Sequence, residues 1–330
     1  NDAPVVFEDS GLETAWRPEN YSGKFFGPTR LRYALTKSRN LVSIRLLRSI
    51  GVKNALEHIE KFGFSQDELP HNLSLALGSA NITPLQMARG YSVLANGGFL
   101  IDPYLISRIE KNGEEVIYQA SPKIACDECE ILPKQIIEES ASEANLIPGE
   151  SEPLPEYAPR AISRENRYIM YSMMQDVITR GTATKARVLN RKDLAGKTGT
   201  TNDQRDAWFN GYNQSIVTTT WVGFDNNKKL GRGEVGGKAA LPAWIHFMRT
   251  ALEKYPRDRS PTMPNGMLTI RIDPKTGKLA SIDQKDAIFE VFRAGQAPTE
   301  RAFAAEPPAN PEESDNPADT PTATEAEELF

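Results

Sequence analysis

At 330 residues, with 39% hydrophobic and 25% charged side chains, the chain is long enough to bury a substantial core and too balanced for a fibrous or wholly disordered protein. The net charge of −5 hides an asymmetry: beyond Arg301 there is no Lys or Arg but there are eight acids, so residues 1–301 sum to +3. That mildly basic body gives weak support for an anionic ligand and, with no Lys/Arg stripe interleaved with aromatics, none for nucleic acid, which is not expected as a partner. No apolar stretch reaches the length of a membrane span, and Asn1-Asp2-Ala3-Pro4 has neither an initiator Met nor a signal peptide, so the sequence reads as a piece of a longer chain.

Residues 1–28 are rich in turn formers and hold no regular period, so an ordered surface loop is expected. From Thr29 the spacing turns helical. Leu31 and Leu35 share a face, Ser38-Arg39-Asn40 interrupts, and Leu41, Ile44, Leu47 and Ile50 resume the pattern up to Gly51. A second helix is expected from Val52 to Phe62. Ser38 and Asn40 sit at the helical junction, where short polar side chains serve as helix caps. Leu73–Leu77 is a short apolar run, and Thr83-Pro84-Leu85-Gln86 has the form of a capping box with Pro at the first helical position. That helix is read with Leu85, Ala88, Tyr91 and Leu94 on one face. His71, just before it, reads as structural or exposed.

Residues 104–120 alternate around Asn112-Gly113, a strong hairpin signal. Residues 121–162 are acidic and rich in Pro, Ser and Glu, which reads as a mobile excursion. Within it Cys126 and Cys129 lack the further ligands that a zinc site needs, leaving a local disulfide or two plain thiols. Helical spacing returns over Arg164–Thr179 with Ser163 as N-cap and Ile169, Met173 and Val177 inside; the stripe Met170, Met173, Met174 reads as gap-filling core. Three strand-like segments follow, at Leu194–Thr201, Ala207–Tyr212 and Ser215–Phe224, and their short turns read as an antiparallel meander. A helix is expected from Ala239 to Tyr255, with His246 as a packing residue. From Ala304 five prolines and eight acids with almost no apolar bulk describe a disordered tail.

Within the first of those strands lies Gly196-Lys197-Thr198-Gly199-Thr200-Thr201. It is not a phosphate loop, because Arg191 stands where that loop needs its first glycine. Two readings stay open on the residues alone. One is a hairpin turn, as at Lys275-Thr276-Gly277 between the strand-like runs Met267–Ile272 and Leu279–Ile282. The other is an active-site edge strand, with Gly199 admitting a substrate backbone, the Thr hydroxyls binding a carboxylate and Lys197 supplying positive potential.

Taken together, Ser38-x-Asn40 followed by Lys197-Thr198-Gly199-Thr200 resembles the second and third motifs of the penicilloyl-serine transferases. The flanks Trp16-Arg17-Pro18-Glu19-Asn20-Tyr21, Leu31–Asn40, Leu75–Gly78, Ala95–Gly98 and Asp206-Ala207-Trp208-Phe209 are similar to class A penicillin-binding proteins, over residues 1–303. The resemblance implies an α/β (α+β) fold of the β-lactamase/transpeptidase type, a central antiparallel sheet flanked by helices with an all-helical subdomain, here incomplete at its N-terminus. It implies a D-Ala-D-Ala transpeptidase domain over 1–303, interrupted by the acidic insert 121–162 and followed by the tail 304–330.

The same resemblance implies residue roles. Ser38 would deliver a proton to the leaving nitrogen, Asn40 would hold the substrate amide, and Lys197 would orient the carboxylate and keep Ser38 competent. Thr198, Gly199, Thr200 and Thr201 would bind substrate, with the Thr200 N–H in the oxyanion hole. The family's nucleophile is the Ser of Ser-x-x-Lys, and no such motif occurs in these residues; it is expected upstream, with the glycosyltransferase domain and the membrane anchor. Implied partners are peptidoglycan stem peptides, β-lactams and accessory cell-wall proteins, at the periplasmic face of the bacterial inner membrane, with no cofactor and no metal. The alternatives are a β-lactamase or carboxypeptidase of the same superfamily, and a non-catalytic scaffold or β-lactam-sensing domain.

Overall fold

The computed structural model describes residues 1–7, 15–113, 115–129 and 156–302. The acidic tail and the middle of the acidic insert, both read above as mobile, lie outside the described residues.

The centre is a three-stranded antiparallel sheet in the order β3-β4-β5, formed by Ala195–Thr200, Asp206–Tyr212 and Val217–Gly223. This is the expected meander. In β4 the alternation decides which face is buried against what. Ala207 and Phe209 point into a cluster with Leu241, Trp244, Ile245 and Met248 of α6 (Ala240–Ala251). Tyr212 points the other way, into a cluster with Val93 and Leu94 of α4 (Pro84–Ala95) and Tyr171 and Met174 of α5 (Arg164–Arg180). Helices therefore cover both faces of one small sheet, while β3 is its edge among the described residues. Two further antiparallel pairs lie apart from it: β1 (Arg108–Lys111) with β2 (Glu115–Gln119), and β6 (Met267–Ile272) with β7 (Ile288–Arg293).

The N-terminal helices run as α1 (Leu31–Lys37), α2 (Asn40–Ile50) and α3 (Val52–Glu60). Neither Ser38 nor Asn40 caps a helix start. Ser38 is the C-cap of α1 in the left-handed region, φ 54°. Asn40 is the first residue of α2, and the free N–H of Leu41 is met instead by the Asn20 side chain at 3.4 Å. Asn20 is itself buried and held by Asp2, whose carboxylate accepts from it at 2.6 Å. The turn-rich N-terminal loop thus supplies the cap.

Other expectations shift for similar reasons. The capping box at Thr83 and Gln86 forms, but α4 buries Gly90, Val93, Leu94 and Ala95 while Leu85 is exposed, so the apolar face is rotated from the one read in sequence. In α5, which Ser163 caps, Met174 and Val177 are buried as expected, but Tyr171 joins them while Ile169 and Met173 stay half-buried. His246 is exposed on α6 and packs nowhere in the core. Lys275-Thr276-Gly277 is a turn, built on the buried Asp273 carboxylate, which takes the N–H groups of Lys275 and Thr276 at 2.9 and 2.6 Å. The strand after it is not Leu279–Ile282, which makes only isolated bridges at Leu279; β6 pairs with β7 instead.

The two roots of the acidic insert are ordered. Ile124 bridges Tyr157, Cys126 and Cys129 form a disulfide, and Asp127 between them pairs with Arg160 and Arg164.

One charged cluster joins both ends of the described chain. Arg32 of α1 is buried, with Nε 2.7 Å from Glu290 of β7 and Nη1 2.9 Å from Ser172 and 3.2 Å from Asp176 on α5. Arg30 and Arg180 add a second cation to Glu290 and Asp176 respectively. Removing one partner of a buried pair is costly because the other charge is stranded, although here each acid keeps its second cation. Arg32→Met is expected to lower unfolding free energy by about 2 kcal/mol in urea titration, whereas the exposed Lys53→Met stays within about 0.5 kcal/mol of the parent.

Candidate active site

The site lies where the C-terminal end of α1 meets the edge strand β3. In the β3–β4 register Lys197 stands opposite Asn210, and Thr198 and Thr200 stand opposite Phe209 and Ala207. The pleat therefore sends Lys197 to the α4–α5 face of the sheet and the two threonine side chains to the α6 face. Gly199 lies between, backed by Trp208: a Cβ there would come within 3.1 Å of the Trp208 Cβ, so a side chain is resisted even before substrate arrives.

Lys197 crosses to Ser38. Its Nζ donates to Ser38 Oγ at 2.8 Å and to its neighbour's carbonyl, Thr198 O, at 2.7 Å. Across the strand pair it stands opposite buried Asn210, and no acid acts on its charge. Burial alone pulls the ammonium down from 10.5 to about 8. At neutral pH it is a cation donating to the serine; slightly above, the free amine accepts from that hydroxyl. The pair is thus poised for proton exchange close to physiological pH. The same burial pushes the Tyr91 hydroxyl, hydrogen-bonded to Asn210, well above its usual range.

Ser38 owes its position to the helix end. In the left-handed conformation its N–H closes onto Leu35 O at 3.1 Å and Arg39 N–H onto Ala34 O at 2.9 Å, leaving the hydroxyl exposed and facing β3. A non-glycine residue held there carries strain that the surrounding contacts must offset. Asn40 is two residues on, its Nδ2 bound to Glu19 O at 2.9 Å, so it is anchored on the N-terminal loop and not on Lys197.

The threonines divide into two kinds. Thr200 Oγ1 accepts from Gly236 N–H at 3.0 Å, and Thr198 Oγ1 lies 2.7 Å from Thr182 Oγ1; both hydroxyls stay at the strand edge. Thr201 differs from expectation. Its hydroxyl accepts from the N–H groups of Arg205 and Asp206 at 3.1 and 2.8 Å, so it pins the loop into β4 and its lone pairs are taken. The contributions of Thr182, Asn20 and Gly236 were missed in sequence. Each acts through a partner far away in the chain, and no local pattern marks it.

A model of the penicillin binding protein transpeptidase domain matches residues 6–240. Penicillin-binding protein 1A of Pseudomonas aeruginosa is 46% identical over 316 residues, covering 90% of this chain and 38% of that protein. The crystal structure of penicillin-binding protein 1A from Haemophilus influenzae superposes with a TM-score of 0.79 at 38% identity, covering 92% of this chain and 45% of that one. The imipenem acyl-enzyme complex of penicillin-binding protein A from Mycobacterium tuberculosis gives 0.54 at 18% identity, over 75% of this chain and 54% of that chain, a likeness of fold alone. The chain spans less than half the length of the 1A relatives it matches.

The depressed lysine makes a checkable statement about stability. Between pH 8 and 10.5 the unfolded chain holds a proton on Lys197 that the folded chain does not. Stability contributed by this site therefore rises with pH across that window, and the penalty for burying the ammonium is fully present below it. Unfolding free energies measured from pH 7 to 10 are expected to show this rise in the parent and to lose it in Lys197→Met.

Proposed function

Because the chain belongs to the penicillin-binding protein transpeptidase family, we propose that Ser38, Asn40 and Lys197 with Thr198, Gly199 and Thr200 form the substrate-binding and proton-transfer wall of a D-Ala-D-Ala transpeptidase. The observation that carries this reading is the 2.8 Å hydrogen bond from Lys197 to Ser38, made between residues far apart in sequence by a lysine whose charge is destabilised by burial.

The reaction is acyl transfer. A serine attacks the D-Ala-D-Ala carbonyl of a peptidoglycan stem peptide, the terminal D-Ala leaves with a proton, and an amine of a second stem peptide resolves the ester. Lys197 and Ser38 serve the departure: the Ser38 hydroxyl gives its proton to the leaving nitrogen and is reprotonated from the Lys197 ammonium. Thr198 and Thr200 donate to the terminal carboxylate, whose charge Lys197 complements. The Thr200 N–H on the free edge of β3 forms half of the oxyanion hole. Asn40, fixed by Glu19, presents its carbonyl oxygen to the substrate amide.

The sequence holds no Ser-x-x-Lys, so the nucleophile and its lysine base belong to a part of the longer protein outside these residues. Residues 1–303 are then one transpeptidase domain with an acidic insert, in a bifunctional cell-wall synthase acting at the periplasmic face of the inner membrane. Among the described residues no helix is long and apolar enough to cross a membrane. β-lactams, which mimic D-Ala-D-Ala and halt at the ester, are its inhibitors; accessory cell-wall proteins are its partners.

The longer protein is expected to be labelled covalently by a fluorescent penicillin, and Lys197→Ala is expected to slow labelling by about 10²-fold or more while circular dichroism is unchanged. Absence of labelling in well-folded longer protein refutes the reading in favour of a non-catalytic domain. Rapid turnover of the penicillin with no persistent ester refutes it in favour of a β-lactamase.

A further inference from the structure

The link from α5 to β3 touches every wall of the site in three consecutive residues. Arg180 O accepts from Lys37 Nζ at 2.7 Å, beside Ser38. At Gly181 a Cβ would stand 2.6 Å from Thr36 O and 2.6 Å from Val177 Cα, so glycine alone lets α5 end against α1. The Thr182 hydroxyl then reaches the Thr198 hydroxyl at 2.7 Å. On its other side Thr182 O lies only 2.9 Å from the place a Cβ on Gly237 would occupy, next to the Gly236 N–H that holds Thr200.

Two hydroxyls in contact share one hydrogen and leave the second free to point outward. A lone threonine hydroxyl at a strand edge rotates among its staggered positions and is satisfied by water as readily as by a ligand. Once it accepts from a neighbour, its own O–H is directed away from that neighbour and is polarised by the chain of bonds. The lysine offers no such help to the Thr198 hydroxyl, since the pleat sends the two side chains to opposite faces of the sheet and Nζ donates to Ser38 Oγ and the Thr198 carbonyl. Thr182 itself is exposed, but it follows directly on Gly181, which is packed against α1 and α5, and its carbonyl faces Gly237, so its hydroxyl is carried on an anchored backbone.

We propose that Thr182 is a positioning residue for the carboxylate subsite: it donates to Thr198 Oγ1 and so aims the Thr198 O–H at the terminal carboxylate of a D-alanyl peptide bound along β3. This rests on the function proposed above and adds a residue outside its motifs. It predicts that affinity for the carboxylate, and not for the peptide as a whole, depends on the Thr182 oxygen.

The test is titration of the chain with an N-acylated D-Ala-D-Ala dipeptide and with its C-terminal amide, followed through the methyl resonances of Thr198 and Thr200. Thr182→Val, which keeps the shape and loses the donor, is expected to weaken the acid by about three- to tenfold and to leave the amide unchanged. Thr182→Ser is expected to stay within about twofold of the parent for both ligands. Equal affinity of the parent and Thr182→Val for the acid overturns the proposal. So does equal weakening by Val and Ser, which would place the effect in the methyl contact. If the parent itself does not prefer the acid over the amide, it is the carboxylate subsite on β3, and with it the proposed function, that fails.

Discussion

Arg32 is the constraint on which the rest of this molecule hangs. A guanidinium taken out of water demands anions, and it finds them on two elements distant in sequence, Asp176 on α5 and Glu290 on β7. Satisfying it fixes α1 against both, and the last turn of α1 is what aims Ser38 at the edge of the central sheet. Such a cluster adds little to stability compared with an apolar core of the same shape. It does forbid alternatives, because a helix shifted by one turn would carry the buried Arg32 guanidinium away from both of its anions.

A second polar atom is buried with less compensation. Lys197 is desolvated without an acid beside it, and its two hydrogen bonds go to a hydroxyl and a carbonyl. The sheet tolerates this because the lysine sits on the outer strand, opposite Asn210, where its head group reaches the Ser38 hydroxyl at the edge. Stability has been given up locally to hold an amine whose proton is loosely kept. The strong apolar packing of Phe209 and Trp244 on the opposite face, ring centroids 4.8 Å apart, offsets that loss within the same strand pair.

Much of the architecture could be read from local pattern. The meander, the Thr83 capping box, the Asn112-Gly113 hairpin and the break between α1 and α2 all follow from residues within a few positions of each other, and so does the turn at Lys275. What local pattern could not show is of one kind. The cap on α2 comes from Asn20, the partner of β6 is β7 across an irregular stretch, and the buried faces of α4 and α5 are rotated by what they pack against. At the site, Ser38 and Lys197 were legible as a pair only through family resemblance, since nothing in their spacing brings them together. Thr201 was read with Lys197-Thr198-Gly199-Thr200 by adjacency alone, and no pattern in the sequence showed that its hydroxyl accepts from Arg205 and Asp206 in the loop into β4.

The ordered roots of the acidic insert carry a different kind of consequence. Ile124 and Tyr157 are bridged, the disulfide closes Cys126 to Cys129, and Arg160 and Arg164 clasp Asp127, so the chain leaves and re-enters the body through one clamped gate. Beyond such a gate, length is thermodynamically cheap, since doubling a closed loop costs only about 0.6 kcal/mol. By that scaling, added length at this point costs the body and its edge strand little. It is also the position at which a reporter or an affinity module could be spliced into the chain.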